Sequence, residues 1–211
     1  MFNNFDLRES LLMLPAILFG FSIHEFAHAY TARHFGDFTA EREGRITLNP
    51  FAHIDPLGLF LFFFAGYGWA KPVPVNLFNF QNRKKADLLV SLAGPCANAL
   101  TMMAFAILLK LIFVFYPFLF YIPNYGKIIY EILVYFIWVN IIMAIFNLLP
   151  VPPLDGSRII FNLLPNGYDD HYENFSRYGS AILVALIVFD VLPIGKTAAF
   201  IFNGIFNLLS I

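Results

Sequence analysis

His24-Glu25-Phe26-Ala27-His28 places two imidazoles and a carboxylate inside an apolar run long enough to cross a bilayer. The i, i+4 spacing stacks both histidines on one face of a helix. That geometry suits two ligands of a tetrahedral zinc ion. Glu25 projects near the same face, where it can take a proton from a water that such a metal acidifies. Residues of this kind are costly in hydrocarbon and usually mark a function. The competing reading is a set of buried, hydrogen-bonded polar side chains.

Two imidazoles leave a catalytic zinc in need of a third protein ligand and one open position. Asp155 is the candidate. It stands in Val151-Pro152-Pro153-Leu154-Asp155-Gly156, a stretch that cannot be regular helix throughout. Non-helical backbone at membrane depth is tolerated only where protein buries it or where it lines a wet cavity. The break therefore frees the chain to aim a carboxylate inward, and Gly156 removes bulk beside it. A fourth protein ligand would fill the position that water needs, so His53 is not assigned to the metal. It orients substrate, supports the ligands, or caps a turn at the interface. His34 and His171 lie in polar stretches and read as solvated side chains.

The elements that carry these residues read as membrane spans. Of 211 residues, 59% are hydrophobic and 13% charged, about half the charged share of a soluble domain. That excludes a soluble metalloprotease. A net charge of −1 without a basic patch gives no sign of a nucleic-acid partner. The single cysteine, Cys96, excludes an internal disulfide and a multi-cysteine metal cage. The first apolar run has no basic region before it and no small-residue cleavage site after it, so it is expected to stay in the mature chain.

Long apolar runs cover Leu11–Tyr30, Leu88–Tyr116 and Ile128–Leu149, with further runs at Tyr178–Leu192 and Thr197–Ile211. Asp87 reads as a cap before the second run, and Gly94-Pro95 should kink or open it. A helix restarts over Ser157–Leu164, and Asn166–Arg177 reads as a polar loop. Leu57–Trp69 is short and punctuated by Gly58, Gly66 and Gly68, which suggests a re-entrant segment. Lys71-Pro72-Val73-Pro74-Val75-Asn76 reads as extended. The expected fold is an all-α polytopic membrane protein with about four to six crossings and a re-entrant or β-like segment near 57–80. A single domain over 1–211 would hold a core at about 11–165 and a C-terminal helical segment at about 176–211.

If Leu57–Trp69 does not cross, Arg33, Arg42, Arg45, Lys71, Arg83, Lys84, Lys85, Arg158 and Arg177 share one side. Arg8, Lys110, Lys127 and Lys196 fall on the other. The positive-inside rule makes the first side cytoplasmic. The same arrangement brings His24, His28 and Asp155 into one half of the bilayer.

HEFAH in a first span, GPCAN in the next and NLLPVPPLDG after a third resemble the site-2 proteases, the intramembrane zinc metalloproteases. LNPFAHIDPLG and GWAKPVPVN resemble the compact prokaryotic branch without appended domains. The likeness runs from about Phe19 to Arg158. It implies Zn2+ held by His24, His28 and Asp155, and Glu25 as general acid and base. It implies a transmembrane polypeptide as substrate and a prokaryotic plasma membrane, with the site toward the cytoplasm. By the same resemblance Asn98 and Asn147 match positions that line the active site. Each has two readings, a donor to substrate or oxyanion and a hydrogen bond between helices. The extended segment with Asn76 either receives a substrate strand or is a proline-stiffened linker. Two rivals stand beside the protease, a membrane metal transporter and a metal-binding homologue that does not cut.

Overall fold

The structure, a computed structural model, describes residues 7–65, 68–165 and 169–210. The expected polar lead over Met1–Ser10, the loop over Asn166–Arg177 and Gly66 lie wholly or partly outside these residues. Among the described residues eight α-helices follow in order: α1 (Leu7–His34), α2 (Thr39–Arg42), α3 (Pro56–Ala65), α4 (Arg83–Phe115), α5 (Gly126–Asn147), α6 (Asp155–Leu163), α7 (Asp169–Val188) and α8 (Ile194–Leu209). Three of them, α1, α4 and α5, are long and apolar enough to cross a membrane, and α8 is a shorter apolar helix. The fold is all-α; among the described residues the one β feature is an isolated antiparallel bridge, Ile54 to Ala70.

Helices outrun their apolar cores at both ends. Twenty-eight residues make α1 about 42 Å long, against a hydrocarbon core of about 30 Å. Its last turn therefore stands beyond the apolar layer and carries Arg33 and His34. In α4 the cap is Asn82, whose side chain accepts from the Lys85 N–H. Asp87 is not the cap expected of it, because the helix begins four residues before it. The α4 helix also runs on through Pro95 without a break in its assignment. Asp169–Arg177, expected as loop, is the first half of α7. No Gly or Pro interrupts it.

The bundle core is built by α1, α4 and α5, with α8 outside. Ala16 and Ile17 of α1 pack on Val139 and Met143 of α5. Ala106 and Leu109 of α4, Leu133, Ile137 and Ile141 of α5 and Ala198 of α8 form the larger cluster. The end of α1, the start of α4 and the end of α5 share one half of this bundle, and the motif residues lie there.

The segment after α1 supplies a floor for that half. Ten residues make α3 about 15 Å long, too short to cross. Asp55 starts it by accepting the Leu57 and Gly58 N–H groups. The chain then returns beside its own entry. Ala70 bridges Ile54, and the Lys71 N–H donates to the His53 carbonyl at 2.8 Å. Lys71 to Asn76 runs outside helix and strand, as expected of its prolines, and Asn76 at its end is extended (φ −103°, ψ 104°). Its far end is tied to Asp37, which is fully buried. That carboxylate accepts from the Asn76 N–H (2.7 Å), the Asn79 amide (2.7 Å), and the Thr39 N–H and hydroxyl.

Burial pushes the Asp37 carboxyl up, but the bonds from Thr39, Asn76 and Asn79 prevail and hold it below the ordinary carboxylate range. A carboxylate with a depressed folded-state value stabilises above its unfolded value and loses that stabilisation as pH falls through the folded one. Asp37→Asn is expected to cost about 1.5–3 kcal/mol at neutral pH. The gap to wild type should stay full above about pH 4 and shrink below it. Thermal unfolding of both detergent-solubilised proteins at pH 7 and about pH 3 measures this; a gap that widens at low pH contradicts it.

Candidate metal centre

His24 and His28 stack on α1 with their Nε2 atoms 3.0 Å apart. Asp155 Oδ2 lies 3.2 Å from each of them. The three side chains form a group whose ligand atoms all fall within 4.8 Å. His24 and His28 are buried, and Asp155 is half-buried. A carboxylate 127 or more residues from its partners in sequence has thus folded back onto the helical pair.

The hydrogen bonds behind the rings fix their protonation. His28 Nδ1 lies 2.7 Å from the Val90 carbonyl, which can only accept. His24 Nδ1 lies 2.7 Å from Asn98 Oδ1. The Asn98 amide nitrogen is spent on the Gly20 carbonyl (3.1 Å) and Asn140 Oδ1 (2.8 Å), so its oxygen must face the ring. Both Nδ1 atoms therefore carry a proton, so in the neutral rings both Nε2 atoms present lone pairs. Asp155 Oδ2 adds a third, buried and without a donor. Three lone-pair atoms this close repel one another unless a cation sits among them. The donor set, two imidazoles and a carboxylate, is one that zinc takes in catalytic sites.

Space for such a cation is kept by α4. A methyl at Gly94 would lie 2.5 Å from His28 Nε2 and 2.6 Å from His24 Nε2. Any side chain at this position would fill the cradle, so the Gly-Pro of α4 serves close approach to the ring pair.

Asp155 is the first residue of α6, two residues earlier than the expected restart. The turn before it, Leu148 to Leu154, is the break. Gly156 lies so close to the Leu148 carbonyl that a Cβ would overlap it. On the next turn of α6, Arg158 pairs with Asp87 of α4, and the Asn162 amide donates to the other Asp87 oxygen at 2.7 Å. Asp87 is buried, so this contact clamps α6 onto α4 and sets the height of Asp155. Its sequence position suggested a cap; its structural work is to hold the helix that begins with Asp155.

Glu25 is buried on α1 beside the pair, and its Oε2 accepts the Val73 N–H of the extended segment at 2.7 Å. The remaining singled-out residues lie elsewhere. His53 is buried away from the three ligands; its Nε2 donates to the Thr47 carbonyl and its Nδ1 faces Arg45 at 3.4 Å. It holds the start of the re-entrant loop. Asn76 caps the 3-10 turn Leu77–Asn79 by accepting the Phe78 N–H. The Asn147 amide donates to the Met143 carbonyl within α5. Asn140, fully buried, was given no role by sequence reasoning, yet it accepts from Asn98 and so braces His24 at one remove. An amide within an otherwise apolar span was the signal.

The profile of Peptidase family M50 matches residues 123–189, the part bearing Asn147 and Asp155. A Bacillus subtilis protein named "Putative zinc metalloprotease YwhC" is 40% identical over 195 residues, covering 87% of this chain and 82% of its own length. "Putative zinc metalloprotease Rip2" of Mycolicibacterium smegmatis is 31% identical over 182 residues, 84% of this chain and 67% of its own. A Methanocaldococcus jannaschii protein with a name of the same form is 28% identical over 162 residues, 75% of this chain and 74% of its own. No solved structure matches. Likeness of this extent means that the chain belongs to peptidase family M50, the zinc-dependent site-2 proteases, and its apolar helices make it an integral membrane protein.

Proposed function

We propose that the protein is an intramembrane zinc metalloendopeptidase that cuts membrane-spanning polypeptides, as in regulated intramembrane proteolysis. The observation that carries this reading is the orphaned Asp155 oxygen 3.2 Å from two bare imidazole nitrogens. His24, His28 and Asp155 would hold the metal. Zinc bound there acidifies water and polarises a carbonyl. Glu25 takes the proton of the attacking water on a carboxylate oxygen and later hands it to the leaving amide nitrogen. Asn98 is committed to His24, so of the two asparagines Asn147, at the end of α5, is the one left to steady a developing oxyanion.

The site sits toward the cytoplasmic side of a prokaryotic plasma membrane in this reading. Its premise was a segment that does not cross, and α3 is too short to do so. With that premise, nine of the 13 Lys and Arg lie on the side where α1 ends and α4 begins. A metal transporter needs ionisable groups continuing to the far face. The sequence offers no such series in the outer halves of the spans, and Asp190 is exposed just past α7, with φ 50°.

Metal analysis should find one zinc per wild-type chain and loss of stoichiometric zinc in His24→Ala, His28→Ala and Asp155→Ala. Full retention in the Asp155 variant removes that residue from the ligand set. Glu25→Gln should keep zinc and cut a model transmembrane substrate about 10²- to 10⁴-fold more slowly. Cleavage at the wild-type rate by Glu25→Gln would show the proton-transfer role to be wrong.

A further inference from the structure

The extended segment does something that its sequence motif does not announce. In an extended chain alternate residues direct their N–H and C=O to opposite sides. Lys71 faces inward, with its N–H on the His53 carbonyl and its carbonyl held by the Arg45 guanidinium at 2.7 Å. Val73 faces the same way, with its N–H on Glu25 Oε2. Pro72, which is exposed, and Pro74, half-buried, have no N–H at all. The outward edge therefore offers carbonyls but no donors at these positions, which suits it poorly to receive another strand.

The inward edge is spent on one carboxylate. Val73 is buried, and its side chain clusters with Ala29, one turn after Glu25 on α1, and with Ala40 of α2. The small side chain of Ala29 lets the segment lie against the helix at this point. Both ends are anchored independently, at Lys71 by His53 and Arg45 and at Asn76 by Asp37. A strap fastened on both sides of its contact is a fixture rather than a lid.

We propose that the Val73 main-chain N–H is a positioning group for Glu25. It fixes one carboxylate oxygen and so aims the other at the water to be deprotonated. The Pro-Val-Pro pattern serves this by removing flexibility on either side of the single donor. Val73 touches no reacting atom; it acts through Glu25. The proposal rests on the protease reading above and adds that Glu25 needs an external donor to work.

The test deletes the donor in place. Val73→Pro removes the N–H, Val73→Ala keeps it and loses packing, and α-hydroxyisovalerate at 73 replaces N–H with oxygen while keeping the side chain. Each is assayed on a model transmembrane substrate with kcat and KM separated, and zinc content is measured beside them. Loss of one hydrogen bond to a charged group should lower kcat by about ten- to a hundredfold. KM should stay within about threefold and zinc at the wild-type level, because neither substrate binding nor the ligands are touched. Val73→Ala should exceed Val73→Pro in kcat by at least about tenfold. If Val73→Pro loses zinc or fails to fold, the hydroxy-acid variant decides alone. An unchanged kcat in that variant, or an equal fall in Val73→Ala and Val73→Pro, overturns the proposal while wild-type cleavage leaves the protease reading standing. A wild type that does not cut the substrate removes the reading beneath it instead.

Discussion

Everything in this fold answers to one requirement: two histidine nitrogens, on rings set edge to face, must be bare and aimed at the same point. An imidazole has two nitrogens and one proton in its neutral form, so a bare Nε2 demands an acceptor at Nδ1. The Val90 carbonyl and Asn98 Oδ1, both on α4, are those acceptors. Asn98 is itself turned the right way by Gly20 and Asn140. Thus α1 supplies the two imidazoles, α4 orients them through their Nδ1 atoms and α5 steadies α4. The packing of the three spanning helices is also the wiring of the site, which explains why amides sit where hydrocarbon alone would pack more cheaply.

The Asp155 carboxylate, the proposed third ligand, obeys a different logic. It cannot come from α1, because the i, i+4 face is already used. It arrives at the start of a new helix after a stretch too rich in proline to be helical. A helix start has free N–H groups and a positive dipole end, a favourable place for a carboxylate. What decides its position is remote from it, the Arg158 and Asn162 grip on Asp87. Removing one member of a buried ionic contact leaves an uncompensated charge, so this clamp couples the integrity of α6 to the geometry of the metal centre.

Some of this was legible in the chain. The histidine pair was plain, because helical periodicity converts a spacing of four directly into adjacency. Asp155 was legible because a proline break at membrane depth has few other uses. The short Leu57–Trp69 run was rightly expected to turn back, since length alone forbids a crossing. Other features depended on partners that no local pattern names. Asp87 before an apolar run looks like a cap; its real partner is 71 residues away. Asp169–Arg177 looks like loop by polarity, yet nothing in it breaks a helix. Gly94 read with Pro95 as a kink in the helix, and what it admits is a pair of rings. The Val73 contact is made by a main-chain atom, which side-chain identity cannot reveal except through the flanking prolines.

The account stands or falls on one cation shared by His24, His28 and Asp155. Anomalous diffraction at the zinc edge from crystals of the zinc-loaded protein addresses this directly. It should show a single strong peak about 2.0–2.2 Å from His24 Nε2, His28 Nε2 and an Asp155 oxygen. A peak bound by the two histidines with the Asp155 carboxylate turned away, or no peak between the rings with zinc in excess, would contradict it.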